Sequence, residues 1–317
     1  MTIPQLRKEE EQLNLESLTW GDLTWVDIER PTERETEYLA QNYPFHHLDL
    51  DDCLSRIQRP KIDEYKDYLF LVFHFPVFNK EARVTTPSQL SVFISESYLI
   101  TLHKGELKPL VKLFRECQID EESRQEYFSR GSGYLLYRII DRLVDYCLPI
   151  LNKIGANIED VEDSIFSPSE VRDAIREISA LRRDIISFRR IIWPMRAVIG
   201  SLEPKLRHFT KMDMAVYFGD IIDHVDKIWD GLDEYKEVIE GLNATHDSLA
   251  TNRTNEVIRM LTIIATILLP ITVVSSIFGM NIALPFQNSS YPLLYVFLIV
   301  LVIISSMLYF FHRQRWI

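Results

Sequence analysis

Two apolar runs lie near the end of the chain. Residues 260–311 contain no aspartate, glutamate, lysine, arginine or histidine, and within them Met260–Phe278 and Leu293–Phe311 are strongly apolar. Each run is about the length that a helix needs to cross a hydrocarbon core ~30 Å thick. A polar, uncharged connection that begins with Gly279-Met280-Asn281 separates them. Because backbone polar groups cannot stay unpaired in lipid, the pattern predicts two membrane helices joined by a short loop.

The first part of the chain mixes the patterns of strands and helices. Alternating or aromatic and β-branched segments predict four strands, of which the last two form a hairpin: Thr24–Ile28, Tyr68–Phe75, Leu90–Ile94 and Tyr98–Leu102. Pro76 is expected to end the second strand. Between the first two strands, Glu33–Asn42 and Leu48–Ser55 predict helices. These segments indicate an α/β domain with a small sheet.

From Tyr134 onward, apolar residues recur at spacings of three and four, which predicts helices only. Breaks are expected at Ser167-Pro168-Ser169, Trp193-Pro194 and Glu203-Pro204. A last helix begins near Met214 and meets no strong breaker before Pro270, which already lies in the first apolar run. A helix of roughly fifty residues would be on the order of 80–90 Å long. Such a length is typical of a stalk, and a stalk usually belongs to an oligomer.

These patterns predict an α+β membrane protein in three parts. Residues 1–130 are expected to form the α/β domain and residues 131–257 a helical arm and stalk. Residues 258–317 are expected to form the membrane domain, with helices at about 258–278 and 292–311.

The charge is concentrated before the membrane runs. The chain has a formal net charge of -11, and its last 59 residues carry three arginines and no acid, so residues 1–258 carry -14. A body this acidic is a poor partner for nucleic acid, whose phosphates need basic residues. It is a plausible partner for cations.

The flanking residues predict the orientation in the membrane. Arg253 and Arg259 precede the first run, Arg313 and Arg315 follow the second, and the loop between the runs has no basic residue. The positive-inside rule then places both termini in the cytoplasm and the loop outside, in a multi-pass protein of the cytoplasmic membrane. The first ten residues have no apolar core, so we expect no cleavable signal peptide.

Three cysteines are present without a zinc or redox spacing. Cys53, Cys117 and Cys147 have no close pairing, and we expect them to be small buried apolar residues in a reducing compartment. The adjacent pair His46-His47 is more typical of a structural histidine pair than of a soft-metal site.

A polar stripe follows one face of the first membrane helix and extends below the membrane. At alternating spacings of four and three it contains Ser276, Thr272, Leu269, Ala265, Thr262, Ile258, Asn255, Thr251 and Ser248. Such a heptad stripe packs toward a symmetry axis, where it would line a pore. Small polar residues also let membrane helices approach one another. The continuation of the stripe beyond the membrane favours the pore, and because two helices cannot enclose one, several chains would have to contribute.

The same residues resemble the CorA-type divalent-cation transporter family. The resemblance rests on Thr254-Asn255-Glu256-Val257, Leu261–Ile267, Pro270 and Phe278–Asn281, where Gly-Met-Asn ends the first of two C-terminal membrane helices. Gln58-Arg59-Pro60-Lys61, Ile192–Arg196 and the terminal Arg-Trp-Ile are similar to further family landmarks, in the same order. The resemblance covers essentially the whole chain.

The resemblance implies a homopentameric funnel with a pore on its axis. Gly279, Met280 and Asn281 would form the selectivity filter, and the first membrane helices would line the pore through Asn255, Ile258, Thr262, Leu269, Thr272 and Ser276. Magnesium gives up its waters reluctantly, so a ring of amide and carbonyl oxygens could hold the hydrated ion without stripping it. An anionic ring would release the ion more slowly.

Two departures from the family pattern leave the transported ion open. Phe278 stands where the family usually has tyrosine, and the outer loop 282–290 has no charge, where many members carry an acid. Capture of cations at the mouth should therefore be weaker. The resemblance implies Mg²⁺ as transported and regulatory ion, with Co²⁺, Ni²⁺ or Zn²⁺ as alternatives.

Two acidic clusters are candidate cation sensors. Asp49, Asp51 and Asp52 lie together, and Asp220, Asp223, Asp226 and Asp230 share one face of the stalk helix. The resemblance places metal ligands at Asp51 and Asp52 and, facing them from the neighbouring subunit, at Asp220. Bound magnesium would hold the funnel closed, and its loss would open the pore. The alternative is that the first acids favour a helix N-terminus and the others form a solvated face.

The leading hypothesis is thus a magnesium channel, with three rivals. A proton-coupled zinc carrier of the ZntB kind shares the Gly-Met-Asn motif, although residues 260–311 contain no aspartate, glutamate, histidine or lysine to relay protons. A membrane-anchored scaffold would need neither the polar stripe nor Asn281. An enzyme is not expected, because the sequence contains no P-loop or comparable catalytic motif.

Overall fold

The computed structural model describes residues 13–55, 58–165, 171–207, 209–210, 212–280 and 291–316, without the side chains of 171–173 and 292–293. The chain divides into two compact units, one ending at Leu242 and the other beginning at Asn243. The division into three parts by sequence stays a prediction.

The first unit contains a mixed sheet of six strands. The strands are β1 (Leu15–Trp20), β2 (Leu23–Glu29), β3 (Lys61–Glu64), β4 (Leu69–Asn79), β5 (Val84–Ile94) and β6 (Tyr98–His103). Their order is β1-β2-β6-β5-β4-β3, and β2 and β6 are parallel while every other pair is antiparallel. All four predicted strands are present, and the predicted hairpin is β5 and β6. β1 and β3, both on the sheet edges, were not predicted.

β4 does not end at Pro76, so that part of the prediction is wrong. The strand continues to Asn79, and Pro76 lies opposite Pro87 of β5. β3 pairs with β4 only over Leu69–Val72, and β6 pairs with β5 only over Leu90–Ile94. At Pro76 and Pro87, β4 and β5 pair only with each other among the described strands, so each has an open edge there. Such an edge tolerates proline because no second strand needs its missing N–H.

Two short helices cover one face of the sheet. α1 (Glu33–Asn42) and α2 (His47–Leu54) match their predicted bounds closely. α1 begins at a capping box, in which the Thr32 backbone donates to Glu35 at 2.8 Å and the Thr32 side chain accepts from the first turn. The core beneath them includes Leu39, Leu50 and Phe93, with the rings of Phe45 and Phe93 stacked 4.0 Å apart.

Six further helices complete the first unit up to residue 206: α3 (Lys108–Ile119), α4 (Glu121–Phe128), α5 (Ser132–Asp145), α6 (Cys147–Ile165), α7 (Val171–Gly200) and α8 (Leu202–Leu206). α7 packs against β4 and β5. It is tied there by Asp184, which accepts from the Thr85 backbone at 2.5 Å, and by Ser187, which donates to the Thr85 carbonyl at 2.5 Å. The predicted break at 167–169 lies outside the described residues.

The predicted break at Trp193-Pro194 is wrong, because α7 passes through Pro194. Ile191 and Ile192 before the proline and Met195 and Ile199 after it are all buried. Burial on both sides stabilises the helix against the loss of one backbone hydrogen bond. At the next expected break the turn is at Ser201, and Pro204 lies in the first turn of α8, where its missing N–H is not needed.

The last two helices match the apolar runs. α9 (Ala215–Phe278) has 64 residues and contributes to both units, while α10 (Pro292–Arg313) has 22 and belongs to the second. Both contain segments long and apolar enough to cross a membrane. The three cysteines are buried and free, as predicted, and His46 and His47 are exposed with their rings 4.5 Å apart.

We expect Phe93→Ala to lower the free energy of unfolding by about 3–5 kcal/mol, because the ring is fully buried and its removal leaves a cavity. Phe78→Ala is the matched control, since Phe78 lies on the same sheet but is only partly buried. Thermal and urea unfolding of the full chain followed by circular dichroism provides the measurement. Equal losses in the two variants would show that the core is not centred on Phe93.

Candidate ion pathway and cation site

The predicted pore-lining residues all lie on α9 and are all exposed in the chain: Asn255, Ile258, Thr262, Leu269, Thr272 and Ser276. A different side of the helix is partly covered, at positions such as Ile263, Ile267 and Val274. The stripe is therefore available to line a pathway or to contact another chain. Leu261 and Leu268 are exposed as well, so polarity rather than exposure distinguishes the stripe.

The threonine hydroxyls on this stripe are oriented by the helix itself. Thr262 donates to the carbonyl of Ile258 at 2.7 Å, and Thr272 donates to that of Leu268 at 2.9 Å. A hydroxyl has one hydrogen, so each of these oxygens retains only acceptor capacity toward other partners. The waters around a metal ion direct their hydrogens outward. Acceptor-only oxygens therefore suit a hydrated cation.

The predicted filter begins where α9 ends. Gly279 donates its N–H to the carbonyl of Ser275 at 3.0 Å, Met280 donates to that of Ile277 at 3.3 Å, and both residues are exposed. A Cβ on Gly279 would lie 3.3 Å from the Ser275 oxygen, so a larger residue would crowd the end of the helix. Asn281 and the outer loop 282–290 lie outside the described residues.

The acids of α2 differ in their surroundings. Asp51 is exposed, whereas both carboxylate oxygens of Asp52 have donors: the Gln58 amide on Oδ1 at 2.7 Å and the Lys61 ammonium on Oδ2 at 2.7 Å. Asp49 is buried, and the Tyr68 hydroxyl donates to its carboxylate at 3.4 Å. Burial raises the pKa of Asp49. Within this cluster, Asp51 is the acid most open to an outside cation.

The acids of α9 are likewise not equivalent. Asp220, Asp223 and Asp230 are exposed, as a solvated face or a sensor would both require. Asp226 instead forms a two-pronged ion pair with Arg196 of α7, and the hydrogen bonds from that guanidinium lower its pKa. Its charge is already compensated within the chain.

A further group of potential cation ligands lies beside Asp220. Asp141 and Asp145 of α5 and His224 of α9 offer ligand atoms that all lie within 4.8 Å of one another. His224 Nδ1 is shielded from solvent and makes no hydrogen bond to any described residue, although Asp145 Oδ1 is 3.4 Å away. Burial raises the pKa of Asp141, and the charges of Asp145 and Asp220 raise it further. A cation in this group would relieve that repulsion.

Asp141, Asp145 and His224 are not among the residues predicted from the sequence. A signal was present, because Asp141 and Asp145 are four residues apart on one helix, as are Asp220 and His224 on another. Such pairs share a face. Nothing in the sequence indicates that these two faces meet. The predicted contact of Asp220 with Asp51 and Asp52 runs between neighbouring subunits and stays a prediction.

Comparison with known proteins settles the family. The family model described as CorA-like Mg²⁺ transporter protein matches residues 20–313. The chain belongs to this CorA-like family. It is 29% identical to YfjQ of Bacillus subtilis, over 92% of this chain and 89% of that protein. It is 27% identical to the cobalt/magnesium transport protein CorA of Thermotoga maritima, over 94% of this chain and 83% of that protein.

A solved structure of the CorA-like family agrees with the fold. The CorA magnesium transporter of Methanocaldococcus jannaschii superposes with a TM-score of 0.83 at 25% identity, over 95% of this chain and 94% of that one. The zinc transport protein ZntB of Yersinia pseudotuberculosis is a more distant relative, at 19% identity over 92% of this chain and 88% of that protein. The resemblance inferred from the sequence is thus confirmed.

We expect Asp141→Asn to raise the melting temperature at pH 7.5 in the presence of chelator. The raised pKa of Asp141 means that ionising this carboxyl destabilises the fold. The loss of stability is complete above the pKa in the folded state, and it is absent below the ordinary pKa of aspartate. The gain should therefore disappear at low pH, and magnesium should stabilise wild type more than the variant. Asp163→Asn, at an exposed acid of α6, is the control. Destabilisation by Asp141→Asn at pH 7.5 would contradict the repulsion.

Proposed function

We propose that this chain is one subunit of a homopentameric channel that moves divalent cations into the cytoplasm, with magnesium as the leading cargo. Its place in the CorA-like family supports this, as do the relatives named as cobalt/magnesium transport proteins. The observation that carries the proposal is the exposed stripe of acceptor oxygens on α9 that leads to Gly279.

The pathway would run along the symmetry axis between five copies of α9. Thr262, Thr272 and Ser276 would accept hydrogen bonds from the ion's waters. Ile258 and Leu269 interrupt the polar stripe and would form apolar rings, which can close a pore by excluding water. Both side chains are more than half exposed in the chain, at 55% and 65%, and so could face the axis.

The filter would lie at the outer mouth. A ring of Asn281 side-chain oxygens with the carbonyls of Gly279 would bind hydrated magnesium and release it again. Met280 completes the motif. With both termini in the cytoplasm, the basic residues that flank α9 and α10 would lie on the inner side of the cytoplasmic membrane.

Internal magnesium would control the gate. Asp51 and Asp52 would face Asp220 of the neighbouring subunit and bind the ion between chains, and Asp141, Asp145 and His224 lie beside Asp220 to enlarge the ligand set. Bound ions would hold the subunits together in the closed state. Loss of the ions would let the carboxylates repel, and the assembly would shift toward the open state.

A zinc transporter is the second candidate. The ZntB relative and the imidazole in the cation group favour it, since histidine is a better ligand for zinc than for magnesium. The absence of titratable acids, histidine and lysine from residues 260–311 disfavours a proton relay through the membrane helices.

We expect proteoliposomes containing the full chain to take up Mg²⁺, with Co²⁺ and Ni²⁺ as further cargo, and Asn281→Ala to reduce uptake at least about tenfold. Removal of the amide deletes the ring of acceptors on which the filter depends. Asn288→Ala is the matched control, because it removes an amide from the same outer loop and should leave uptake intact. Fluorescent ion indicators measure the flux, and size exclusion checks assembly. Uptake of zinc but not magnesium would select the second candidate, and normal flux through assembled Asn281→Ala would exclude this filter.

We expect Asp220→Lys to make protease resistance of the soluble part independent of magnesium. The introduced ammonium would neutralise the neighbouring carboxylates in place of the ion. Asp230→Lys is the matched control, because it makes the same charge change at another exposed acid of α9 that lies outside the predicted contact. Limited proteolysis of the intact oligomer with magnesium or chelator provides the measurement. If Asp220→Lys still needs magnesium for protection, the acids are a solvated face and the sensor does not exist at this position.

A further inference from the structure

Lys61 occupies a position within the predicted α2 cation site. It is the first residue of β3, and its ammonium Nζ lies 2.7 Å from Asp52 Oδ2 and 2.5 Å from Asp63 Oδ2. The side chains of Lys61 and Asp52 are 32% and 19% exposed, so the pair is partly shielded from water. The ammonium thus bridges two carboxylates, as a bound cation would.

The surrounding contacts hold this bridge in place. The Lys61 ammonium lies 5.2 Å from the ring centre of Phe70, and Lys61 pairs with Val72 in the β3–β4 ladder. The other end of the bridge is fixed by Gln89, whose amide donates to the Asp52 carbonyl at 3.0 Å. The side-chain oxygen of Gln89 accepts from the Gln58 backbone N–H at 3.0 Å. Asp52 and Lys61 are therefore positioned by separate contacts, Asp52 by Gln89 and Lys61 by the β3–β4 ladder.

The bridge changes what Asp52 can do for a divalent cation. Oδ2 accepts from Lys61 and Oδ1 accepts from Gln58, so a metal ion at Asp52 would have to share the carboxylate with two donors, one of them charged. An incoming cation would also meet the positive charge of Lys61 at close range. Asp51 is exposed, and within the described part of the chain no donor occupies its carboxylate.

We propose that Lys61 is a built-in competitor of the divalent cation at Asp52 and thereby sets the magnesium concentration at which the sensor is filled. This rests on the proposed function, since it assumes the cation contact between subunits. Lys61 holds Asp52 partly neutralised when the ion is absent, which limits repulsion in the empty state. It also lowers the affinity for the ion, so the sensor responds at a higher concentration than the carboxylates alone would allow.

The test is the magnesium concentration that gives half-maximal protease protection of the full-length oligomer. Lys61→Met keeps the apolar stem and removes the charge, and we expect it to lower this concentration about twofold to fivefold, the range expected for loss of one partly exposed ion pair. Lys61→Arg should remain near wild type. Lys66→Met, at an exposed lysine in the turn after β3, controls for net charge. Lys61→Gln is a second neutral variant in case Lys61→Met does not assemble.

The partner is identified with Asp52→Asn. In the Asp52→Asn background, Lys61→Met should lower the half-maximal magnesium concentration by a smaller factor than in wild type, because the competition requires the Asp52 carboxylate. An unchanged midpoint in Lys61→Met, or a raised one, would overturn the proposal and make Lys61 only a structural counter-ion of Asp63. If wild type itself shows no dependence on magnesium, the sensor in the proposed function fails, and the role of Lys61 fails with it.

Discussion

The cost of placing a charge in lipid is the constraint on which the rest of this protein depends. A chain that transfers a doubly charged ion has no charged side chain between residues 260 and 311. The pathway proposed along α9 would therefore rely on neutral oxygens, and the hydroxyls of Thr262 and Thr272 already donate to the helix backbone, which leaves acceptor capacity. The carboxylates lie before residue 260, where the proposed sensor would bind ions.

Compensation within the chain separates the carboxylates that already have partners from those that remain open to an ion. Arg196 neutralises Asp226, Lys61 and Gln58 engage Asp52, and Asp49 is buried. Asp51 and Asp220 remain exposed. Acidity along a helix is thus a poor guide to cation binding, because partners elsewhere in the chain compete for some acids and leave others open.

The comparison of predicted and observed elements shows where local patterns suffice. α1, α2 and the strands β2, β5 and β6 have strong local signals, such as the capping box at Thr32 and the aromatic and β-branched residues of Tyr98–Leu102. The errors occur at Pro76 and Pro194, where strand and helix pass through prolines. The surrounding structure overrides the local preference at both prolines. Pro76 lies where β4 has no second neighbouring strand, and Pro194 lies between buried residues on both sides along α7.

The sequence by itself determined the two membrane helices, the family, the mixed α/β part and the polar stripe, because each is a periodicity or motif carried by adjacent residues. It also located the acids of α2 and α9. Only the tertiary structure decided which charges meet: Asp141 with His224, and Arg196 with Asp226. These partners are separated by at least 30 residues. Their contact depends on how whole helices pack, and no local pattern in the sequence encodes that packing.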